Sequence, residues 1–214
     1  MSRPGRFIAF EGGEGVGKST QARLLADALG ARGIACVVTR EPGGTPGAEA
    51  IRALLLDPAL PRWGAEAEAL LFAAARADHV ATLIRPTLAQ GRWVICDRFV
   101  DSSRAYQGAA GGLGDDTVRT LHAIGSGGLL PDLTLLLELE SGAASGRLAD
   151  RDRGASDKIG GRAADYHGAV AAAFRRFAAD EPGRFARIDG NAPPDRVHAA
   201  VMAAVDVLLP QGAP

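Results

Sequence analysis

The sequence predicts an α/β fold: a parallel β-sheet of about five strands flanked by helices on both faces. Three observations carry that prediction. Short apolar runs alternate along the chain with longer stretches of helical period. Runs such as Trp93 to Asp97 and Leu133 to Leu139 show no polar alternation, which suits strands covered on both sides. The first run, Phe7 to Phe10, leads through a glycine-rich turn straight into an apolar-periodic segment, a strand–loop–helix unit. A length of 214 residues suits one domain, 1–214, large enough to bury a substantial core.

Taken in order, Ser19 to Arg32 reads as an amphipathic helix ended by Gly33. Ala35 to Thr39 is a short β-branched strand, followed by the turn Arg40-Glu41-Pro42-Gly43-Gly44-Thr45. A helix over Ala48 to Leu56 stops before Asp57-Pro58. A long helical stretch then runs from Ala65 to about Arg85, with Pro86 marking a kink or break. The strand Trp93 to Asp97 follows a stop at Gly91 and ends in an acid. Later strands are expected at Leu133 to Leu139 and Phe185 to Ile188, and helices near Asp115 to Ile124, Ala163 to Ala179 and Pro194 to Leu209. Residues 210–214 read as a loose tail.

The turn after the first strand is Gly12-Gly13-Glu14-Gly15-Val16-Gly17-Lys18-Ser19-Thr20, the Gly-x-x-x-x-Gly-Lys-Ser phosphate loop of P-loop NTPases. Glycines let successive backbone N–H groups curl around a polyphosphate, and the following helix points its positive end at the same charge. Lys18 can bridge the outer phosphates and Ser19 can ligate magnesium. A glycine turn that binds nothing is the alternative, and Lys18 and Ser19 together weigh against it.

Composition excludes other classes. With 47% hydrophobic and 23% charged residues the chain falls among soluble globular proteins. A net charge of −1 provides no global field for nucleic acid or an acidic membrane, so an anionic ligand must be held by local Arg and Lys. No apolar run is long enough to span a bilayer, and a signal-peptide core is missing. Cys36 and Cys96 sit inside β-like runs, as small core residues do, which points to a reducing compartment, the cytoplasm. The four histidines show no metal-ligand spacing and receive no role.

Ligands of open α/β sheets bind beyond the carboxyl ends of strands. Asp97 ends an apolar strand, where an acid can orient magnesium or merely cap the strand. Arg98 beside it can grip a second phosphate bidentately. Phe72 and Arg76 are four apart on the long helix and share a face. A ring and a guanidinium there can stack on a flat base and donate to its edge, or can be a core Phe beside a surface Arg.

In this order, the segments resemble the thymidylate kinase family. The match includes Phe-x-x-x-Phe-Glu before the glycine loop, Thr39-Arg40-Glu41-Pro42-Gly43-Gly44-Thr45, Phe72…Arg76, Asp97-Arg98-Phe99, Ser102-Ser103-x-Ala105-Tyr106-Gln107-Gly108 and Pro131-Asp132-Leu133-Thr134. The resemblance implies transfer of the γ-phosphoryl of ATP to dTMP, with magnesium on Ser19 and Asp97. It implies that Phe72 stacks on thymine, Arg76 donates to O4, Ser103 bonds the base edge and Tyr106 packs against C2′. Glu14, Arg40, Glu41, Pro42 and Gln107 join the dTMP site, and Arg98 holds the monophosphate. Cytosine carries a donor where thymine has O4, so a buried Arg discriminates by roughly 10⁴-fold, while steric rejection of one hydroxyl gives only ~10²-fold.

The resemblance also implies a mobile lid at about 145–165. Gly15 inside the glycine loop and Arg151 and Arg153 in the lid resemble the bacterial type, whose lid arginines are catalytic with Lys18 and Arg98. Alone, the run Arg147 to Gly154 would read as a solvated, mixed-charge helix end. Lys158-Ile159-Gly160-Gly161-Arg162 departs from the family pattern, which has an acid after the isoleucine. Arg104 replaces a small or amide residue beside the base pocket, and a solvent-facing side chain is expected there. Family members are homodimers, and the Ala-rich helices could supply such an interface. The alternatives are a kinase for another nucleotide or small metabolite, and a nucleotide-gated binding module without transfer.

Overall fold

The computed structural model describes residues 5–139 and 162–209. Five strands, β1 (Phe7–Glu11), β2 (Cys36–Arg40), β3 (Trp93–Asp97), β4 (Leu133–Glu138) and β5 (Phe185–Asp189), form one sheet in the order β2-β3-β1-β4-β5. Every pairing is parallel, with Ile8 between Ile95 and Leu133 at the centre. The chain winds first to one side of β1 and then to the other, which opens a crevice at the carboxyl end of β1.

Alternate side chains of each strand enter opposite layers. Ile8, Phe10, Ile95 and Leu135 pack against Leu25 and Leu29 of α1 (Lys18–Ala31) and Val197 and Val201 of the last helix, Pro194–Val205. Phe7, Ala9, Val94 and Cys96 face the other way, onto Val80, Ile84, Phe99 and Val118. Each fully buried Phe or Leu contributes ~1.5–3 kcal/mol. Strand β2 corrects the core position expected for Cys36: that residue is only half-buried and Val38 is 43% exposed, because β2 is an edge strand.

Helix α2 (Pro46–Leu56) starts earlier than expected because Thr45 accepts a capping hydrogen bond from Ala48 N and Pro46 occupies the first turn. Helix α3 (Ala65–His79) leads into a π-helical turn, Val80–Ile84, and then α4 (Arg85–Ala89). The kink or break expected at Pro86 takes the form of the π-helical turn just before it: the backbone stays helical through Ile84 and Arg85, and Pro86 follows in the first turn of α4. A helix not foreseen, α5 (Val100–Ser103), continues as a second π-helical stretch, Arg104–Ala110. Helix α6 (Asp115–Ser126) ends at Gly127, and α7 (Ala164–Asp180) and α8 (Pro194–Val205) follow β4 and β5. None of the described helices is long and apolar enough to cross a membrane.

Arg104 is a further correction. Instead of facing solvent it is 3% exposed, bonded to Asp101 at 2.8 Å and to Asp115 at 2.7 Å and paired with Glu181 at 2.8 Å, with its Cζ 4.0 Å from the Phe177 ring centre. It ties the π-helical stretch to α6 and α7. The charged groups that surround it make this burial favourable, and all three lie outside its immediate sequence neighbourhood or one turn away.

Candidate active site

The site begins where β1 ends. Gly12 has φ 130, and a Cβ there would overlap the Leu137 carbonyl oxygen of the neighbouring strand, so the turn requires glycine. Gly17 caps α1 through its backbone and leaves the helix without a side-chain cap, so its first N–H groups face the cleft. Lys18 is buried, its Nζ donating to Gly13 O at 2.5 Å and Gly12 O at 3.3 Å. Burial, reinforced by Arg98, lowers its pKa to about 7 against the opposing pull of Asp97, Glu11 and Glu14. A polyphosphate would return the charge.

Ser19 Oγ donates to Asp97 Oδ2 across the mouth of the sheet. A hydroxyl and a carboxylate are the hard oxygen donors magnesium takes. Among the described residues no group of three or more His, Cys, Asp or Glu could hold a metal ion alone. The pair thus fits an ion whose remaining ligands are water and phosphate oxygens, which is magnesium's habit in phosphoryl-transfer sites.

Opposite stands Arg98, whose φ of 71 is unusual for a residue with a side chain. Its N–H donates to Phe10 O at 2.9 Å, and its Nη1 reaches Gly12 O at 3.1 Å and Ser102 Oγ at 3.0 Å. The guanidinium Cζ lies 5.1 Å from the Tyr106 ring centre. Beneath this loop lies Glu11, fully buried, accepting from Phe99 N at 2.8 Å, Ser102 N at 3.0 Å and Ser102 Oγ at 2.6 Å. Burial, then the charge of Asp101, pushes its carboxyl up to about 7, against Arg98 and the bonds from Ser102 and Phe99.

The third wall is one face of α3. Glu68, Phe72, Arg76 and His79 follow at spacings of four, four and three, and all are buried. Arg76 Nε donates to Glu41 Oε2 at 2.7 Å and Nη2 to Ser103 Oγ at 2.8 Å. Gln107 Nε2 donates to Glu68 Oε1 at 2.9 Å, and Arg162 and Tyr166 close this corner through Arg162–Glu68 at 2.5 Å and Tyr166 Oη–Tyr106 O at 2.6 Å. The resulting cleft is ≈ 590 Å³ and lies between the glycine loop and α3.

A family model described as thymidylate kinase matches residues 10–201. The chain is 59% identical over 207 residues to a thymidylate kinase of Rhizorhabdus wittichii, covering 97% of this chain and 100% of that one. It is 50% identical over 208 residues to one from Bradyrhizobium diazoefficiens, covering 96% and 91%. The crystal structure of thymidylate kinase from Ehrlichia chaffeensis superposes with a TM-score of 0.76 at 31% identity, covering 96% of this chain and all of that one. The chain belongs to the thymidylate kinase family. It is therefore an enzyme of the kinase class, built on the P-loop sheet the sequence predicts.

Within this thymidylate kinase fold the residues singled out from sequence converge. Glu14, Gly15, Gly17, Lys18, Ser19, Thr20, Arg40, Glu41, Pro42, Phe72, Arg76, Asp97, Arg98, Ser103, Tyr106 and Gln107 all line the cleft. Gly12 and Gly13 turn their carbonyls to Lys18, and Val16 packs into the core beneath the loop. Arg40 is more than half exposed and paired with Glu49 at 3.1 Å. Arg151 and Arg153 lie outside the described residues, as does most of the expected lid. Sequence reasoning missed Glu11, Glu68 and His79. For the last two, the spacing to Phe72 and Arg76 on one helix face was the available signal.

Proposed function

We propose that the chain transfers the γ-phosphoryl of ATP to dTMP, giving dTDP, with ATP on the glycine loop and dTMP between Arg98 and α3. The observation that carries this reading is Arg76: buried at 3% exposure, it faces the cleft beside Phe72 with its fork pinned by Glu41 and Ser103. A buried donor of this kind suits a carbonyl at the pyrimidine 4-position and leaves an amino group without an acceptor. In this reading Phe72 stacks on the base, Ser103, Gln107 and Pro42 bound its edges, and Tyr106 packs on the sugar. Arg98 takes the acceptor phosphate with Glu14 and Arg40 nearby, and Glu41 acts through Arg76. Lys18 spans the donor phosphates. Ser19 and Asp97 hold magnesium, which supplies charge neutralisation of the transferring phosphoryl.

The reading extends to the lid arginines, Arg151 and Arg153, as stabilisers of charge that develops in transfer. Arg153→Ala is expected to lower turnover at least tenfold, about 1.4 kcal/mol, with little change in dTMP affinity. An unchanged turnover number in steady-state assays would reassign that role. A homodimer is supported by Leu70, 56% exposed on α3, and Ile124, 79% exposed on the adjoining α6, a patch that light scattering can test. Two free thiols, Cys36 and Cys96, support a cytoplasmic setting. The deciding experiment offers dTMP, dCMP, CMP and UMP with ATP and magnesium, and repeats the panel with Lys18→Ala. Turnover of CMP or UMP without dTMP would overturn the proposal.

A further inference from the structure

Resting on that reading, we infer that His79 is a positioning residue for base recognition, fixing the orientation of Arg76 through Glu41. Five side chains from four parts of the fold form one continuous buried line. Thr39 Oγ1 on β2 meets His79 Nε2 at 2.8 Å, and His79 Nδ1 meets Glu41 Oε1 at 3.0 Å. Glu41 Oε2 accepts from Arg76 Nε at 2.7 Å, and Arg76 Nη2 donates to Ser103 Oγ at 2.8 Å. His79 is 0% exposed and Arg76 3%, so water cannot substitute for a missing partner.

The geometry assigns each atom a duty. Nε of Arg76 carries one hydrogen, and Glu41 takes it. Nη1 makes no bond among the described residues, so it is the nitrogen of this cleft-lining residue left for a base. Which way that nitrogen points depends on the Glu41 carboxylate. Only His79 holds its second oxygen among the described residues. With the ring hydrogen on Nδ1, His79 donates to Glu41 and accepts the Thr39 hydroxyl on Nε2, so both ring nitrogens are engaged. Packing supports the same arrangement. Gly44 has φ 91, and a Cβ there would overlap Thr39 Oγ1 and His79 Nε2, so the turn after β2 presses directly on the imidazole. A histidine that merely filled the core would need none of these contacts toward the cleft.

The test uses amide side chains that mimic one ring nitrogen each. His79→Asn keeps a donor near Nδ1, and His79→Gln keeps one near Nε2 but withdraws it from Glu41. The expected result for His79→Gln is a KM for dTMP raised about tenfold, with a preference for dTMP over dCMP lowered by a similar factor and kcat within about twofold. His79→Asn is expected to stay within about threefold of the unmodified enzyme on both measures. Equal damage from the two amides, or a fall in kcat with an unchanged preference, would overturn the proposal. Arg76→Lys serves as the reference. If it leaves the preference intact, base reading by Arg76 is wrong, whatever His79 does. If it collapses the preference and His79→Gln does not, only the His79 inference fails. Should His79→Gln fail to fold by circular dichroism, Thr39→Val carries the test from the far end of the line. A loss of preference of about threefold is then expected, and an unchanged preference refutes the inference.

Discussion

Glu11→Gln makes the sharpest stability prediction, because the buried carboxyl under the Arg98 loop is asked to be both an acceptor and an anion. In the folded protein its pKa is pushed up to about 7 by burial and by Asp101, from 4.5 in an exposed chain. Between those values the folded state keeps a proton that the unfolded state has released, so stability must fall as pH rises through the window. Below pH 4.5 the contribution is fully present; above pH 7 it is gone. The difference of 2.5 units corresponds to about 3 kcal/mol at 1.36 kcal/mol per unit. Glutamine keeps an acceptor for Phe99 N and Ser102 N and cannot ionise, so the variant should lack this slope. Urea unfolding at half-unit steps from pH 4.5 to 8.5 reads it directly. Plotted as variant minus unmodified protein, stability should climb by about 3 kcal/mol toward high pH, and histidine titrations common to both cancel. A difference constant to within about 0.5 kcal/mol across the range would refute the reasoning.

Two further perturbations address the same neighbourhood. Arg104→Ala removes the guanidinium shared by Asp101, Asp115 and Glu181, and should destabilise the fold by about 3 kcal/mol in urea unfolding at neutral pH. A loss below about 1 kcal/mol would mean that Arg184, which also bonds Asp101, suffices alone. Tyr106→Phe deletes a buried hydroxyl without a hydrogen-bond partner of good geometry among the described residues, so thermal unfolding should change by no more than about 2 °C. A larger drop would reveal a partner for that oxygen.

The parts of the site that were legible in sequence are those written in short-range chemistry. The glycine loop, the acid ending β3 and the Phe72–Arg76 spacing each depend on residues a few positions apart, and each contributes residues to the lining of the cleft. What was not legible depends on distance along the chain. Glu41 and His79 are 38 residues apart, Glu68 and Gln107 39, and Glu11 reaches Ser102 across 91. No periodicity links such pairs; only the packing of α3 and α5 over the sheet brings them together. Arg104 departs from expectation partly for the same reason: Asp101 is one turn away, but Asp115 and Glu181 reach it from other parts of the fold. Helix Val100–Ser103 was missed because its sequence carries strand-like and polar residues that tertiary packing overrides. Pro86 marks the irregularity to within a turn, but nothing in the sequence says that it is a π turn and not a break.

The π turn at Val80–Ile84 has a consequence of phase. In a regular helix, residues four apart drift around the axis by about 40° per step, so a stripe running from Glu68 to Ile84 would end on a different side. One extra residue in the turn takes about 100° of that drift back. The face that carries Phe72 and Arg76 into the cleft is thereby continued by Val80 and Ile84 into the sheet. Removing one residue from this turn would let it close as ordinary α-helix with both halves in the register they now have, whereas removing one from the regular helix on either side, with the π turn kept, would rotate one half by about 100° relative to the other. The π turn is therefore a place where the count of residues can change by one without turning the wall of the cleft away from the sheet.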